Sequence, residues 1–205
     1  MQKQLFLSFL LLVALIGKHA AAQHAAGSTG TGLLGLVAAN SFSKEESVYR
    51  SKGYVMNSIL GPTEAPLTYQ VFALAAATSG ELTSLVYTCT EQKKEGLLLA
   101  FYGTRWNEAG VVYQAYGFKD MPVVKAKELL SKIDKTIEKA LVVDPFAIRS
   151  DVENRNVYFQ YDDVTVLISI SGTGEPQIRL FWGQYDSEWN IGAFRKTVRR
   201  MEKKI

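Results

Sequence analysis

LTSLVYTCTEQKKEGLLLAFYGTRWNEAGVVYQAYGFKDMPVVKAKELLSKIDKTIEKAL (82–141) changes its hydrophobic period once, and that change decides the fold. The segments 82–90, 96–104 and 110–118 are rich in β-branched and aromatic residues. Charged or glycine-bearing stretches separate them at hairpin spacing, which predicts antiparallel strands. From Val123 onward the period becomes helical. Val123, Ala126, Leu129, Leu130, Ile133, Ile137, Ala140 and Leu141 fall on one apolar stripe, with Lys125, Lys127, Lys132, Lys135 and Glu138 on other faces. Pro122 stands where a first-turn proline is tolerated, and Asp144-Pro145 closes the segment.

Downstream the same order returns. Strands are predicted at 157–161, 164–171 and 177–182, with turns at Asp162-Asp163 and at 172–176, and a helix at 191–203. Gly103-Thr104 and Gly172-Thr173 fall at equivalent strand ends. The order predicts a duplicated βββα unit, 82–141 against 156–203. Alternation sets Val164, Val166, Ile168 and Ile170 against Thr165, Leu167, Ser169 and Ser171. Likewise Ile178, Leu180 and Trp182 alternate with Gln177, Arg179 and Phe181. The expected fold class is α+β: a mainly antiparallel sheet with two amphipathic helices packed on its dry face and a mixed face left over.

Upstream, Ser43-Lys44-Glu45-Glu46 has the form of a capping box and predicts a short helix at 44–51. The apolar runs 53–60 and 67–77 are expected as strands, divided by Gly61-Pro62 and Pro66. QHAAGSTGTG (23–32) has the composition of a flexible tether before a single domain at 33–205. The first 22 residues carry Lys3, an apolar run at 5–16 broken only by Ser8, and Ala20 and Ala22 at the −3 and −1 positions. This is the form of a secretory signal peptide cleaved after Ala22. The run falls short of the roughly 20 residues a membrane span needs. No Asn-x-Ser/Thr site occurs. The expected location is outside the cytoplasm, periplasmic or extracellular, in a bacterium, with no transmembrane span after cleavage.

The 205 residues are 47% apolar and 21% charged, in the range of globular domains. The formal charge is +3, and the leader removes Lys3 and Lys18. The remaining near-neutral chain gives no case for nucleic acid. A lone cysteine, Cys89, excludes an intramolecular disulfide and a multi-cysteine zinc site. It is expected as a small buried residue in a strand. The two histidines, His19 and His24, fall in the leader and the tether. The body therefore cannot build a Ser-His-Asp triad, a Cys-His pair, a histidine-rich zinc site or a histidine-ligated haem. No cofactor or metal is expected. Gly30-Thr31-Gly32-Leu33-Leu34-Gly35 matches G-x-G-x-x-G but follows a tether instead of a strand, so it predicts no dinucleotide site.

Three sets of residues are candidates for function. Tyr102, Trp106, Tyr113, Tyr116, Tyr158 and Phe181 lie on or beside strands, and Arg105 stands among them. Arg105, Trp106, Tyr113, Tyr158 and Arg179 are the expected ligand-binding residues of the mixed face. Asp162, Asp163, Asp186 and Glu188 cluster near Trp182 and Trp189. Asp186 and Glu188 are the catalytic pair of an alternative, a carboxylate-based hydrolase acting on glycans. Arg195, Lys196, Arg199 and Arg200, with Lys203 and Lys204 against Glu202 alone, make a basic C-terminal helix. Those first four are the expected partner-binding residues of a docking or inhibitor protein meeting an anionic surface or acidic partner. The leading expectation is a non-catalytic exported envelope protein that binds a small ligand or a protein partner.

Overall fold

Strands with two-residue periodicity need an apolar partner on each dry face, and here they find it in one another and in three helices. The computed structural model describes residues 42–141, 155–170 and 175–205. Helix α1 (Lys44–Tyr54) passes directly into a π-helix, Val55–Leu60. Strand β1 (Gln70–Ala77) follows, then a 3-10 turn at Thr78–Gly80, β2 (Leu82–Cys89), β3 (Lys94–Trp106), β4 (Val112–Pro122) and helix α2 (Val123–Leu141). The second half holds β5 (Arg155–Tyr161), β6 (Val164–Ile170), β7 (Pro176–Trp182), β8 (Tyr185–Trp189) and helix α3 (Ile191–Met201). The strands form two four-stranded antiparallel sheets in sequential order, β1-β2-β3-β4 and β5-β6-β7-β8. The α+β class and the antiparallel pairing therefore hold. The expected leader at 1–22, the tether at 23–32, the glycine motif at 30–35, Asp144-Pro145 and the turn at 172–174 lie outside the described residues.

The cores follow from strand parity. Leu82, Val86, Leu97, Leu99, Phe101 and Met121 occupy one face of the first sheet. They join Val164, Val166, Ile168, Ile178 and Leu180 of the second sheet in one cluster. Both expected amphipathic helices enter that cluster, through Leu129, Leu130, Ile133 and Ile137 of α2 and Ala193, Phe194 and Met201 of α3. The opposite face of the first sheet presents Leu85, Tyr87, Cys89, Leu98 and Ala100 to Val55 and Leu60 of the π-helix. The first sheet is thus dry on both faces, and Leu97, Leu98 and Leu99 are all fully buried. Only the second sheet has the expected dry and mixed faces. Cys89 is buried in its strand.

Three expectations are corrected. The run 53–60 is helical, not a strand, although the helix starts where expected, with Ser43 accepting a 3.0 Å hydrogen bond from the N–H of Glu46. Met56, Asn57 and Ser58 are exposed in succession between buried Val55 and Leu60. That pattern cannot alternate as a strand. It matches the five-residue spacing of a π-helix, closed by Gly61 N–H donating to the Met56 carbonyl at 3.1 Å. The second correction adds β8, in the interval 183–190 where the sequence predicts no strand. Tyr185, Ser187 and Trp189 point inward while Asp186 faces solvent. The helix cap is Asn190, whose Oδ1 accepts from Ala193 N–H at 2.8 Å. Third, each helix that ends a half follows four strands, so the unit present is not βββα.

The two sheets meet at a close crossing. The Tyr185 ring lies on Gly117 of β4, where an added Cβ would stand 2.2 Å from ring carbon Cε2. Phe101, Trp182 and Tyr185 pack around this point, with the Phe101 ring tilted 5.5 Å from Trp182 and 5.8 Å from Tyr185 between centroids.

Candidate functional site

Four strands with one face turned away from the core display their even-numbered or odd-numbered side chains as rows. On the second sheet, one row runs Tyr158, Leu167, Arg179, Glu188 and the next runs Gln160, Thr165, Phe181, Asp186. Tyr158 is 76% exposed and Phe181 37%. Arg179 Nε and Asp186 Oδ1 pair diagonally at 3.0 Å on this surface. The structure therefore brings together two of the expected ligand residues, Tyr158 and Arg179, with the two candidate catalytic acids. Asp186 and Glu188 lie on one strand and one outward face, instead of opposing each other across a cleft.

The other expected ligand residues stand elsewhere. Arg105 pairs directly opposite Tyr113 near the end of the β3–β4 hairpin. Trp106 is 56% exposed there, next to exposed Val111 and Val112. Arg105 itself turns toward the second sheet. Its guanidinium lies 5.3 Å from the Tyr185 ring centroid, and Nη1 donates to the Tyr185 hydroxyl at 3.5 Å. Tyr102 and Tyr116 are buried on the α1 side of the first sheet, 4.9 Å apart between ring centroids. These aromatics serve separate parts of the molecule.

Asp162 and Asp163 belong to a clamp, not to the acid pair of β8. Lys119 of β4 bonds both carboxylates, and Lys125 of α2 reaches Asp162 at 3.5 Å. Trp182 Nε1 donates to Asp163 at 2.8 Å. Burial pushes the Asp163 carboxyl up, but the hydrogen bonds from Lys119 and Trp182 outweigh it and hold it below the usual range. Nearby, Tyr161 donates to Glu128 at 2.7 Å, and burial together with that carboxylate pushes the phenol up to about 12.

The basic helix divides too. Arg195, Lys196 and Arg199 are exposed on α3. Arg200 is exposed as well, but its Nη1 reaches back to donate to the Leu74 carbonyl of β1 at 2.7 Å. Lys204 lies 4.3 Å from the Phe72 ring centroid.

One group of polar residues escaped the sequence reading: Tyr54, Tyr87 and Asp120. They line an open groove of about 580 Å³ between the π-helix, the β2–β3 hairpin and the start of α2. Asp120 pairs directly with buried Leu98. It accepts a hydrogen bond from the Tyr87 phenol, and burial raises its carboxyl above the ordinary range. Burial and the Asp120 carboxylate likewise push the Tyr87 phenol up. The signal was strand parity. Continued to Pro122, β4 puts Asp120 on the same face as Tyr116 and Phe118, an acid in an otherwise aromatic series. A strand ended at Phe118 hides it.

Among the described residues, no group of three or more His, Cys, Asp and Glu side chains has a metal-holding arrangement, and no helix is long and apolar enough to cross a membrane. Compared with protein-family models, with curated proteins and with solved structures, the chain has no match in any of the three.

Proposed function

We propose that this chain is a non-catalytic, exported envelope protein that holds a polypeptide partner against the outward face of its second sheet. The observation that carries the reading is the pair of cross-strand rows, Tyr158–Leu167–Arg179–Glu188 and Gln160–Thr165–Phe181–Asp186. Tyrosine and arginine are enriched where protein interfaces concentrate their binding energy. Tyr158 is more exposed than any other large hydrophobic residue described. The face is also open, and the grooves beside α2 and the π-helix are lined by none of its residues. A surface of that shape suits a polypeptide better than an enclosed small molecule. The lack of histidine outside positions 19 and 24 supports binding over acid–base catalysis.

The reading is tested by placing a photo-crosslinking amino acid at position 158 of the full chain, and at exposed Tyr49 as a control. A discrete protein adduct from position 158, absent from position 49 and lost on Arg179→Glu, supports it. Identical labelling from both positions overturns it. Turnover of a glycan substrate that disappears in the Asp186→Asn, Glu188→Gln double variant overturns the non-catalytic assignment. Export is checked separately by the mass of the mature N-terminus, expected at Gln23.

A further inference from the structure

The groove beside the π-helix lies on the other sheet and shares no residue with the outward face. We propose that it is a binding site for a neutral, hydroxyl-rich small molecule of the sugar or polyol class. Its volume, about 580 Å³, falls among those of small-molecule pockets.

Asp120 leaves one acceptor unmet. Asp120 Oδ1 is buried and has no hydrogen-bond partner. The rest of that carboxylate takes the Tyr87 phenol and the Met121 N–H. A buried carboxylate oxygen left unpaired is costly, and the donor such an atom lacks is commonly an ordered water, whose place a ligand hydroxyl can take. Gly96 leaves the space that the Tyr87 phenol occupies, since a Cβ at that position would stand 2.7 Å from the Tyr87 hydroxyl. The opposite wall is fixed as well. Lys94 Nζ donates to the Ile59 carbonyl at 2.5 Å, and Gln92 Nε2 to the Leu60 carbonyl at 3.3 Å, so the β2–β3 hairpin fastens the end of the π-helix. π-Helical turns recur at functional sites.

The lining chooses the ligand class. Lys93 and Lys94 are balanced by Glu95 and Asp120, so the groove offers no net charge to a salt-forming ligand. The carboxylates accept from hydroxyl groups, the lysines donate to them, and Ile59 and Pro122 supply apolar surface for the C–H side of a ring.

The test uses the full chain in saturation-transfer NMR and titration calorimetry. The neutral probes are glucose, N-acetylglucosamine, trehalose and myo-inositol; spermidine and citrate are the charged ones. Saturable binding of at least one neutral probe is expected. Asp120→Asn, which keeps an acceptor for Tyr87, weakens it about tenfold. Val124→Arg, at an exposed position on the rim, abolishes it without moving the unfolding transition. The proposal is overturned if no neutral probe saturates, if spermidine or citrate alone binds, or if binding ignores both variants.

Discussion

Arg200 donates a 2.7 Å hydrogen bond to the main-chain carbonyl of Leu74. Leu74 is the residue without a cross-strand partner where β1 shifts register against β2, between Ala73 and Ala75. A bulge frees a carbonyl from the ladder, and a buried carbonyl needs a donor. Beside it, Ser84 Oγ and Thr197 Oγ1 lie 2.6 Å apart, both buried, so α3 is bonded to the sheet at two neighbouring points.

Arg200→Ala is expected to destabilise the protein by about 1–3 kcal/mol, because the Leu74 carbonyl then loses its donor. Arg195→Ala removes an exposed side chain of the same helix and is expected to change stability by no more than about 0.5 kcal/mol. Denaturant unfolding of the two variants separates a structural arginine from a surface one. Equal effects would show that the Leu74 contact contributes nothing.

Gly117→Ala is expected to destabilise by about 1–3 kcal/mol, since the new methyl would stand 2.2 Å from a Tyr185 ring carbon in a crossing packed on both sides. Gly192→Ala is the control. Its methyl meets only Asn190 Oδ1, at 3.6 Å, and helix propensity should stabilise it by about 0.5–1 kcal/mol. Opposite signs in thermal unfolding are the expected outcome.

The Lys119–Asp163 clamp predicts an acid limb in the stability profile. Asp163 is held below its ordinary pKa in the folded chain, so its contribution is complete above the unfolded value of about 3.9. That contribution disappears as pH falls through the lower, folded value. Burial alone would lower the Lys119 pKa, but Asp163 and Asp162 raise it above the ordinary value, so the alkaline loss comes only above the usual lysine range. Asp163→Asn should therefore be less stable than the wild type at pH 7. The gap in melting temperature should close below about pH 4.

Asp120 predicts the reverse sign. Its folded pKa is raised, chiefly by burial, despite the opposing Tyr87 hydrogen bond and Lys119 charge. At neutral pH the fold therefore bears the cost of a desolvated carboxylate. That cost is relieved as pH falls through the raised folded value and is gone below about 3.9. Asp120→Asn is expected to raise the melting temperature at pH 7, with the advantage shrinking toward pH 4. A melting temperature that falls at every pH would show Asp120 to be a structural acceptor instead.

Several assignments needed only neighbouring residues. The stripe from Val123 to Leu141, the alternation from Val164 to Ile170, and the Ser43 cap are local patterns set by backbone geometry, and they appear where expected. Local reading failed where a distant surface chose between alternatives. Val55 to Leu60 is apolar enough for a strand, yet it winds as a helix to lay Val55 and Leu60 on Leu85 and Leu98. Asp186 and Glu188 stand just before an expected helix, where acidic residues suit its N-terminus, yet β7 pairs them into β8.

The amphipathic helices α2 and α3, the alternation of β6 and β7, the antiparallel class and the absence of histidine beyond position 24 were determined by the sequence itself, because side-chain periodicity and residue content do not depend on long-range contacts. Tertiary structure alone decided that Arg200 serves Leu74 while Arg195 stays free on the surface, that Tyr158 and Arg179 share a row while Arg105 joins Tyr185, and that Asp120 sits beside Tyr87. Each of those outcomes depends on which residues pack together across a wide gap in the chain, and a sequence pattern of period 2 or 3.6 carries no information about that pairing.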